Sequence, residues 1–515
     1  MKNIRMDSLP PNRQIALQDC RTCAKRRIKC DRSVPHCRKC TIRGLTCPGF
    51  DQVQLKWIDG VTSRGKLAGR TLSLQCQEID TKIRANGFPT ICKFSTDSLA
   101  IDGASSISDP TVDCGLVHRH SSVALSSRLI NHFHMEVAPL LTWIDSPDNA
   151  WRKVVLPLAQ RSPCLRLGIL NIAAAHFCIT SSSGNPESAA KQVHQNLRHT
   201  AICALNAEIQ RELEYSTMST MTREVNTLEH SSLMAILASA LSLCFGELFI
   251  PESNDWKIHL GACRNLMDRY NVFSWKSQSL DAVCRFLVKE VNDLGVFGNV
   301  SSFARHSLSP THSTVEFQLW KFTDLIQEIT FVERQRYESM KEGFIPPDVD
   351  MGAWQDKLEQ AYAQISSLAI RNLPSHDEPT QKRFEALIRA HYHAIRIYIY
   401  QAHAPHMVAA KSISASLKIL AHEVQSLATG PTHLFSHGLF FPLFIAGTES
   451  WADEHGQDIF SRLFLGLLYS TGVWCNYAAL QFLRVFWARP ESHGTGRWIQ
   501  FARENESKIG TFLVM

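Results

Sequence analysis

The chain has 515 residues, 44% of them hydrophobic and 20% charged. That is the balance of an ordinary globular protein, so wholesale disorder is excluded, and the length calls for two or more structural units. The net charge of +6 is uneven, because residues 1–50 hold twelve Lys or Arg against three acids and leave the remainder at −3. A basic head on a near-neutral body points to a polyanion partner for the head alone.

Residues 1–19 are polar, contain Pro10 and Pro11, and read as a disordered N-terminus. No apolar stretch follows the first charges, so neither a secretory signal nor an anchor is read there. A reducing compartment is therefore expected, in which clustered cysteines bind metal more often than they form disulfides. Six of the sixteen cysteines crowd into residues 20–47: Cys20, Cys23, Cys30, Cys37, Cys40 and Cys47. Their spacing is C-x2-C-x6-C-x6-C-x2-C-x6-C, two nearly identical halves. The other ten cysteines scatter singly through apolar segments and read as buried thiols.

Zinc takes four tetrahedral ligands and suits thiolates. Six sulfurs satisfy two ions only if two of them bridge. The repeat assigns Cys20, Cys23 and Cys30 to one Zn2+ and Cys37, Cys40 and Cys47 to the other, with Cys20 and Cys37 shared. Few large apolar residues lie between the cysteines, so coordination must supply most of this module's folding free energy. Lys25, Arg26, Arg27 and Lys29 fill the spacer after Cys23, and Arg38, Lys39 and Arg43 take the matching place in the second half. Bases projecting together from a short helix suit the major groove of double-stranded DNA, where some read guanine edges and others neutralise phosphates. The same run is compatible with a nuclear import signal. A purely structural zinc knot is the plainer alternative.

Residues 48–124 read as a linker. Val53, Leu55 and Trp57 alternate with polar residues, and glycines follow at 60, 65 and 69. Leu72, Cys76, Ile79 and Ile83 suit two helical turns, and residues 85–125 are Ser-rich. No heptad repeat follows the cysteines, so half-site number and spacing cannot be drawn from a zipper. From 125 to 515 the periodicity is helical, giving an all-α domain. Helices are predicted over roughly 125–140, 151–180, 187–213, 228–247, 275–295, 316–341, 352–371, 378–403, 408–428 and 456–489, and Trp256, Leu260, Cys263 and Met267 mark one more. The uncharged stretch between Arg462 and Arg484 is long enough to span a bilayer but carries Gly466, Gly472, Asn476 and Gln481, and reads instead as a buried helix or helix pair.

Of three His-x-His pairs, His118/His120, His132/His134 and His391/His393, the latter two cannot chelate one ion on a helix, where residues two apart point to opposite sides; the histidines read as surface or capping residues. Trp451, Trp474, Trp487 and Trp498 read as core. No phosphate loop, nucleophile elbow or HExxH motif occurs, and nothing favours an enzyme.

At the cysteine module the chain resembles the fungal Zn(2)-Cys(6) binuclear cluster transcription factors. The six spacings, the basic AKRRIKC stretch, Asp31 and Pro35 carry the resemblance, and Ala24 departs from the usual base. In that family the first and fourth cysteines bridge, matching the count above, and the base-contacting positions correspond to Arg26 and Arg27. Segments such as WRKVVLPLAQRSPCLRLGILNIAAAH and FFPLFIAGTE are similar to landmarks of the family's helical regulatory domain. The resemblance implies a sequence-specific, zinc-dependent regulator of RNA polymerase II transcription in a fungal nucleus. It implies two zinc ions, CGG-like sites, and activation of a metabolic or secondary-metabolite gene set through the transcription machinery or coactivators. No membrane partner is implied, and a homodimer through the helical domain is compatible with it.

Overall fold

The computed structural model describes residues 19–47, apart from 21, 24, 25, 35 and 46, and residues 124–515, apart from 143–144, 181–186, 219–226, 271–281, 304–320, 373–377, 430–434, 491–493 and 495. The readings made on 1–18 and on 48–123 fall outside these residues. Contacts divide the chain into two compact units, Met1–Ile58 and Asp59–Met515. Among the described residues there is no strand.

Among the described residues of the first unit, Thr22 and Cys23 are helical and a turn of helix, α1, spans Arg38–Thr41. Its core is the sulfur of six cysteines, with Ile28 and Leu45 packed against them.

The described residues of the second unit are mainly helical. Helix α2 (124–132) runs on through a π turn, Phe133–Val137, and a 3-10 turn, Ala138–Leu141. There follow α3 (Leu156–Arg161), α4 (Pro163–Thr180), α5 (Glu187–Met218), α6 (Thr227–Leu248), α7 (Trp256–Arg269) and α8 (Ala282–Asn299). Next come α9 (Lys321–Lys341), α10 (Met351–Asn372), α11 (Glu378–His403) and α12 (His406–Ala428). The chain closes with α13 (Phe440–Thr448), α14 (Glu454–Thr471), α15 (Tyr477–Trp487) and α16 (Arg497–Ile509).

Helix α4 lies along α5 and α6, and α6 packs on α7. Helix α8 touches α6, α7 and α9 and so joins this group to a second one, in which α11 contacts α9, α10, α12 and α13. Helix α4 is long and apolar enough to cross a membrane by length and composition, but most of it is buried inside the unit. Its middle, from Gly168 to His176, is buried at every residue, as in a core helix covered on all sides.

The helix boundaries follow local chemistry. The predicted 151–180 helix breaks at Ser162, whose Oγ accepts the N–H of Leu165 at 3.2 Å and caps α4, while Pro163 takes the first helical position, where no N–H is needed. The predicted 456–489 segment is a pair: Gly472, at φ +69°, ends α14 with its N–H on Leu468 O at 2.9 Å, and a 3-10 turn leads into α15. Asp350 caps α10 by accepting the N–H groups of Gly352 and Ala353 at 2.9 and 3.0 Å.

Two helices were not predicted. In α13 all nine residues are buried, so there is no polar face to produce a period. In α16 the buried residues Trp498, Phe501, Ala502 and Asn505 do have helical spacing. An aromatic cluster of Phe444, Phe482, Trp498 and Phe512 fills the space between them. The buried Gln401 donates to Thr448 Oγ1 at 2.9 Å and Glu449 Oε1 at 2.6 Å and accepts from Trp498 Nε1 at 2.9 Å. Phe512, Leu513 and Val514 are buried, and Ser301 Oγ both donates to Phe512 O at 2.7 Å and accepts its N–H at 2.8 Å.

Candidate metal centre and nucleic-acid interface

The halves of the cysteine module repeat at an offset of 17 residues, Cys20 to Cys37. Each half folds in the same way. The N–H of Cys23 donates to Cys20 Sγ at 3.5 Å, and that of Cys40 to Cys37 Sγ at 3.4 Å. The N–H of Ile28 reaches Cys23 O at 3.1 Å, and that of Leu45 reaches Cys40 O at 3.0 Å. These long-range closing bonds define a Schellman turn, whose next-to-last residue must be left-handed. Arg27 (φ +52°) and Gly44 (φ +64°) occupy that position. Ile28 and Leu45, one residue on, are thereby turned back onto the sulfurs.

The six sulfurs fall into two groups of four, Cys20, Cys23, Cys30 and Cys37, and Cys20, Cys37, Cys40 and Cys47, with the ligand atoms of each group within 4.8 Å of one another. Cys20 and Cys37 belong to both. Cys20 Sγ lies 3.5 Å from Cys37 Sγ and 3.7 Å from Cys40 Sγ, and Cys23 Sγ lies 3.7 Å from Cys37 Sγ. Zn–S bonds of about 2.3 Å in a tetrahedron require sulfurs about 3.8 Å apart, so the donor set fits zinc in both size and chemistry. Backbone N–H groups of Arg32 and Cys37 point at Cys30 Sγ and Cys47 Sγ, at 3.4 and 3.3 Å. Burial pushes the thiols of Cys20, Cys23 and Cys37 up, that of Cys23 to about 11. Sulfurs crowded in this way become thiolates at neutral pH only with cations seated among them.

Two carboxylates brace this core. Asp31 is 2% exposed. Its Oδ2 accepts from Ser33 Oγ at 2.6 Å and the N–H of Arg38 at 3.2 Å, and its Oδ1 accepts the N–H of Lys39 at 3.1 Å. A residue of the first half thus caps the helix that carries Cys40 in the second. Burial alone would raise the Asp31 carboxyl, but these hydrogen bonds hold it below the usual range. Asp19 accepts Arg32 Nε at 2.6 Å and the N–H of Cys30 at 3.4 Å, and the Arg32 bond holds its carboxyl low. The Asp19–Arg32 pair was not singled out in the sequence, where it is one acid and one base thirteen residues apart.

Of the bases named from the sequence, Lys25 lies outside the described residues. Arg26, Arg27, Lys29, Arg38 and Arg43 are exposed and Lys39 is half-buried. The structure brings them onto the outside of one small sulfur core.

The histidine readings are partly corrected. His391 is neither surface nor cap: it is fully buried, with Nδ1 donating to Leu387 O at 3.1 Å. His132 does not face His134 but meets His176, Nε2 to Nδ1 at 2.9 Å. Burial holds His132 at about 4 and His176 at about 3, so both stay neutral at physiological pH. His118 and His120 lie outside the described residues. Trp474, Trp487 and Trp498 are buried, Trp487 donating to Gly447 O at 2.9 Å. Among the scattered thiols, Cys164, Cys244, Cys263, Cys284 and Cys475 are buried as read, but Cys203 is exposed and Cys178 is half-buried.

Comparison with known proteins agrees with this geometry. Residues 18–56 match the fungal Zn(2)-Cys(6) binuclear cluster domain, and residues 128–510 match the fungal specific transcription factor domain. A relative from Saccharomyces cerevisiae, the transcriptional activator protein UGA3, is 24% identical over 265 residues, covering 49% of this chain and 44% of that protein. The match therefore spans less than half of the relative's length. No solved structure matches.

Proposed function

This chain belongs to the fungal transcription factors that carry a Zn(2)-Cys(6) binuclear cluster, and from that premise we propose that it recognises a short duplex DNA sequence through residues 20–47. It is a regulator rather than an enzyme, and its cluster implies two zinc ions. Cys20, Cys23, Cys30 and Cys37 hold one ion, and Cys20, Cys37, Cys40 and Cys47 the other. The zinc acts structurally: it gathers both halves into one body and leaves the bases outside. Arg26 and Arg27 read base edges, while Lys25, Lys29, Arg38, Lys39 and Arg43 contact phosphates and fix the register.

The observation that supports this most is the pair of four-sulfur groups sharing two members, with exposed bases on the outside. The helical domain of 125–515 regulates, and 1–19 and 48–124 serve as tail and linker. The name of the yeast relative favours an activator. A nuclear site of action, a metabolic or secondary-metabolite gene set, CGG-like sites, coactivators and a homodimer through the helical domain complete the reading.

The test is a selection of random duplex DNA by the full chain loaded with zinc, together with a zinc count. Enrichment of a CGG-like site at two zinc ions per chain supports the proposal. Two zinc ions without any sequence enrichment would favour a module that binds acidic proteins instead.

A further inference from the structure

Single exposed apolar side chains are ordinary on a globular protein, whereas clusters of them mark places of contact. In the helical unit nine large apolar side chains are exposed among the described residues, and five of them gather in two patches: Met340, Phe344 and Ile345, and Val408 and Ile419. The first patch is the loop from α9 to α10. Gly343, at φ +87°, ends α9 with its N–H on Met340 O at 3.1 Å, and the N–H of Phe344 reaches Ser339 O at 2.9 Å. A helix end of this kind ordinarily folds the next apolar side chain back onto the helix. Here Phe344 stays 67% and Ile345 96% exposed. The loop is held in that shape: Arg336 Nη1 donates to Pro347 O, Pro346 and Pro347 restrict their own backbones, and Asp350 caps α10. Residues 342–350 carry the acids Glu342, Asp348 and Asp350, all exposed, and no base.

The second patch has the opposite charge. Val408 and Ile419 are three helical turns apart on α12 and share one face. Lys411 and Lys418 are exposed along it, and neither has an ion pair among the described residues. The one acid in the α12 sequence, Glu423, is buried and accepts Arg389 Nε at 2.8 Å, so the exposed face is basic. Both patches are exposed within one chain, so neither covers the other. They lie at one end of the helix group: Trp354, in the first turn of α10, stacks on His403 in the last turn of α11 with ring centroids 5.3 Å apart, and α12 begins directly after. Two complementary patches on one surface are what a twofold pairing needs, since each copy then offers its loop to the other's helix.

We propose that the helical unit pairs with a second copy of itself, the acidic loop of each copy seating Phe344 and Ile345 on the α12 face of the other at Val408 and Ile419, with Asp348 set against Lys411 and Lys418. The proposal rests on the homodimer reading above and gives that dimer its surface.

Sedimentation velocity of the full zinc-loaded chain, without DNA, over a range of concentration and salt reads the pairing. The parent should show a monomer–dimer equilibrium that weakens several-fold between about 0.05 and 0.5 M salt. Ile345→Lys and Val408→Glu each alter both contacts of the dimer at once and should each weaken it at least about 30-fold. Both positions are exposed, and Val408 lies in the first turn of α12, where an acid favours the helix, so both variants should keep the parent's helical circular dichroism and melting. Mixed in equal amounts they should pair again, because one contact is then native loop on native face and the other sets the introduced lysine against the introduced glutamate.

A parent that stays monomeric at every concentration would overturn the proposal together with the homodimer reading. A dimer that persists in both variants would overturn this surface and leave that reading standing. Variants that lose pairing and do not recover it on mixing, or a parent that grows into open-ended oligomers, would overturn the twofold exchange of loop and helix face. Selection of a DNA site is measured separately, so its failure leaves this result untouched.

Discussion

Replacing Asp31 by alanine should loosen zinc without touching a sulfur. The buried carboxylate accepts three hydrogen bonds, from Ser33 Oγ and from the N–H groups of Arg38 and Lys39, at 2.6, 3.2 and 3.1 Å. Two of these satisfy the start of α1, which sets Cys40 in place. A cap of this kind contributes about 1 kcal/mol, and hydrogen bonds to a charged group somewhat more, so Asp31→Ala removes about 2–4 kcal/mol in all. The module has little apolar core beyond Ile28 and Leu45, and its folding is coupled to metal binding. The loss therefore appears as zinc affinity weakened roughly 30- to 1,000-fold. Asp31→Asn has one oxygen for bonds now spread over two and should fall between alanine and the parent. Chelator competition on the full chain measures all three. Parent-like zinc affinity in Asp31→Ala would refute the claim that this residue couples the halves.

Cys20→Ala and Cys37→Ala should each bring the zinc count from two to none, because both sulfurs belong to both groups of four; one firmly held ion in either variant, counted by atomic emission, would refute the sharing. Acid should destabilise the helical unit through His132 and His176. Their folded pKa values of about 4 and about 3 lie below the unfolded value of about 6.5, so the unfolded chain binds protons first, and stability that is complete above pH 6.5 falls as the pH drops toward 3. The penalty by pH 4 is on the order of 3 kcal/mol for the buried His176 and less for the half-buried His132. Denaturant midpoints of the helical signal should fall across that window, and a His176→Phe variant showing the same slope would remove the pair as the cause.

The cysteine module was legible because its constraint is written in spacing. Two ions and six sulfurs require two bridging cysteines, the repeat suggests Cys20 and Cys37, and the groups of four share those two. The left-handed turn was not legible in the same way: Gly44 announces it, but Arg27 hides it, and only comparison of the halves at their common offset exposes the likeness. In the helical domain, amphipathic helices such as α7 and α11 were found because one polar face makes a period. Helix α13 escaped because it is buried on every side, and the break at Ser162–Pro163 was smoothed over although a capping hydroxyl followed by proline is a local signal. Pairings such as His132 with His176 and Ser301 with Phe512, 44 and 211 residues apart, depend on how helices meet and have no local signature.

The two units are held by different forces, and metal removal should separate them. The first is built around sulfur, with thiols that burial pushes up, so stripping zinc leaves protonated cysteines and two short turns with little to hold them. The second is held by apolar burial, with fully buried side chains that include Trp151, Phe245, Phe297, Tyr398, Phe444 and Trp498, and needs no metal for that. Excess chelator should therefore abolish DNA binding while the helical melting temperature moves by less than about 2 °C. The helical circular dichroism should hardly change, since the described helix of the first unit is Thr22, Cys23 and the four-residue α1. Re-added zinc should restore binding. A melting transition that falls with chelator in step with DNA binding would refute the division, because it would mean that the helical unit draws its stability from the zinc module.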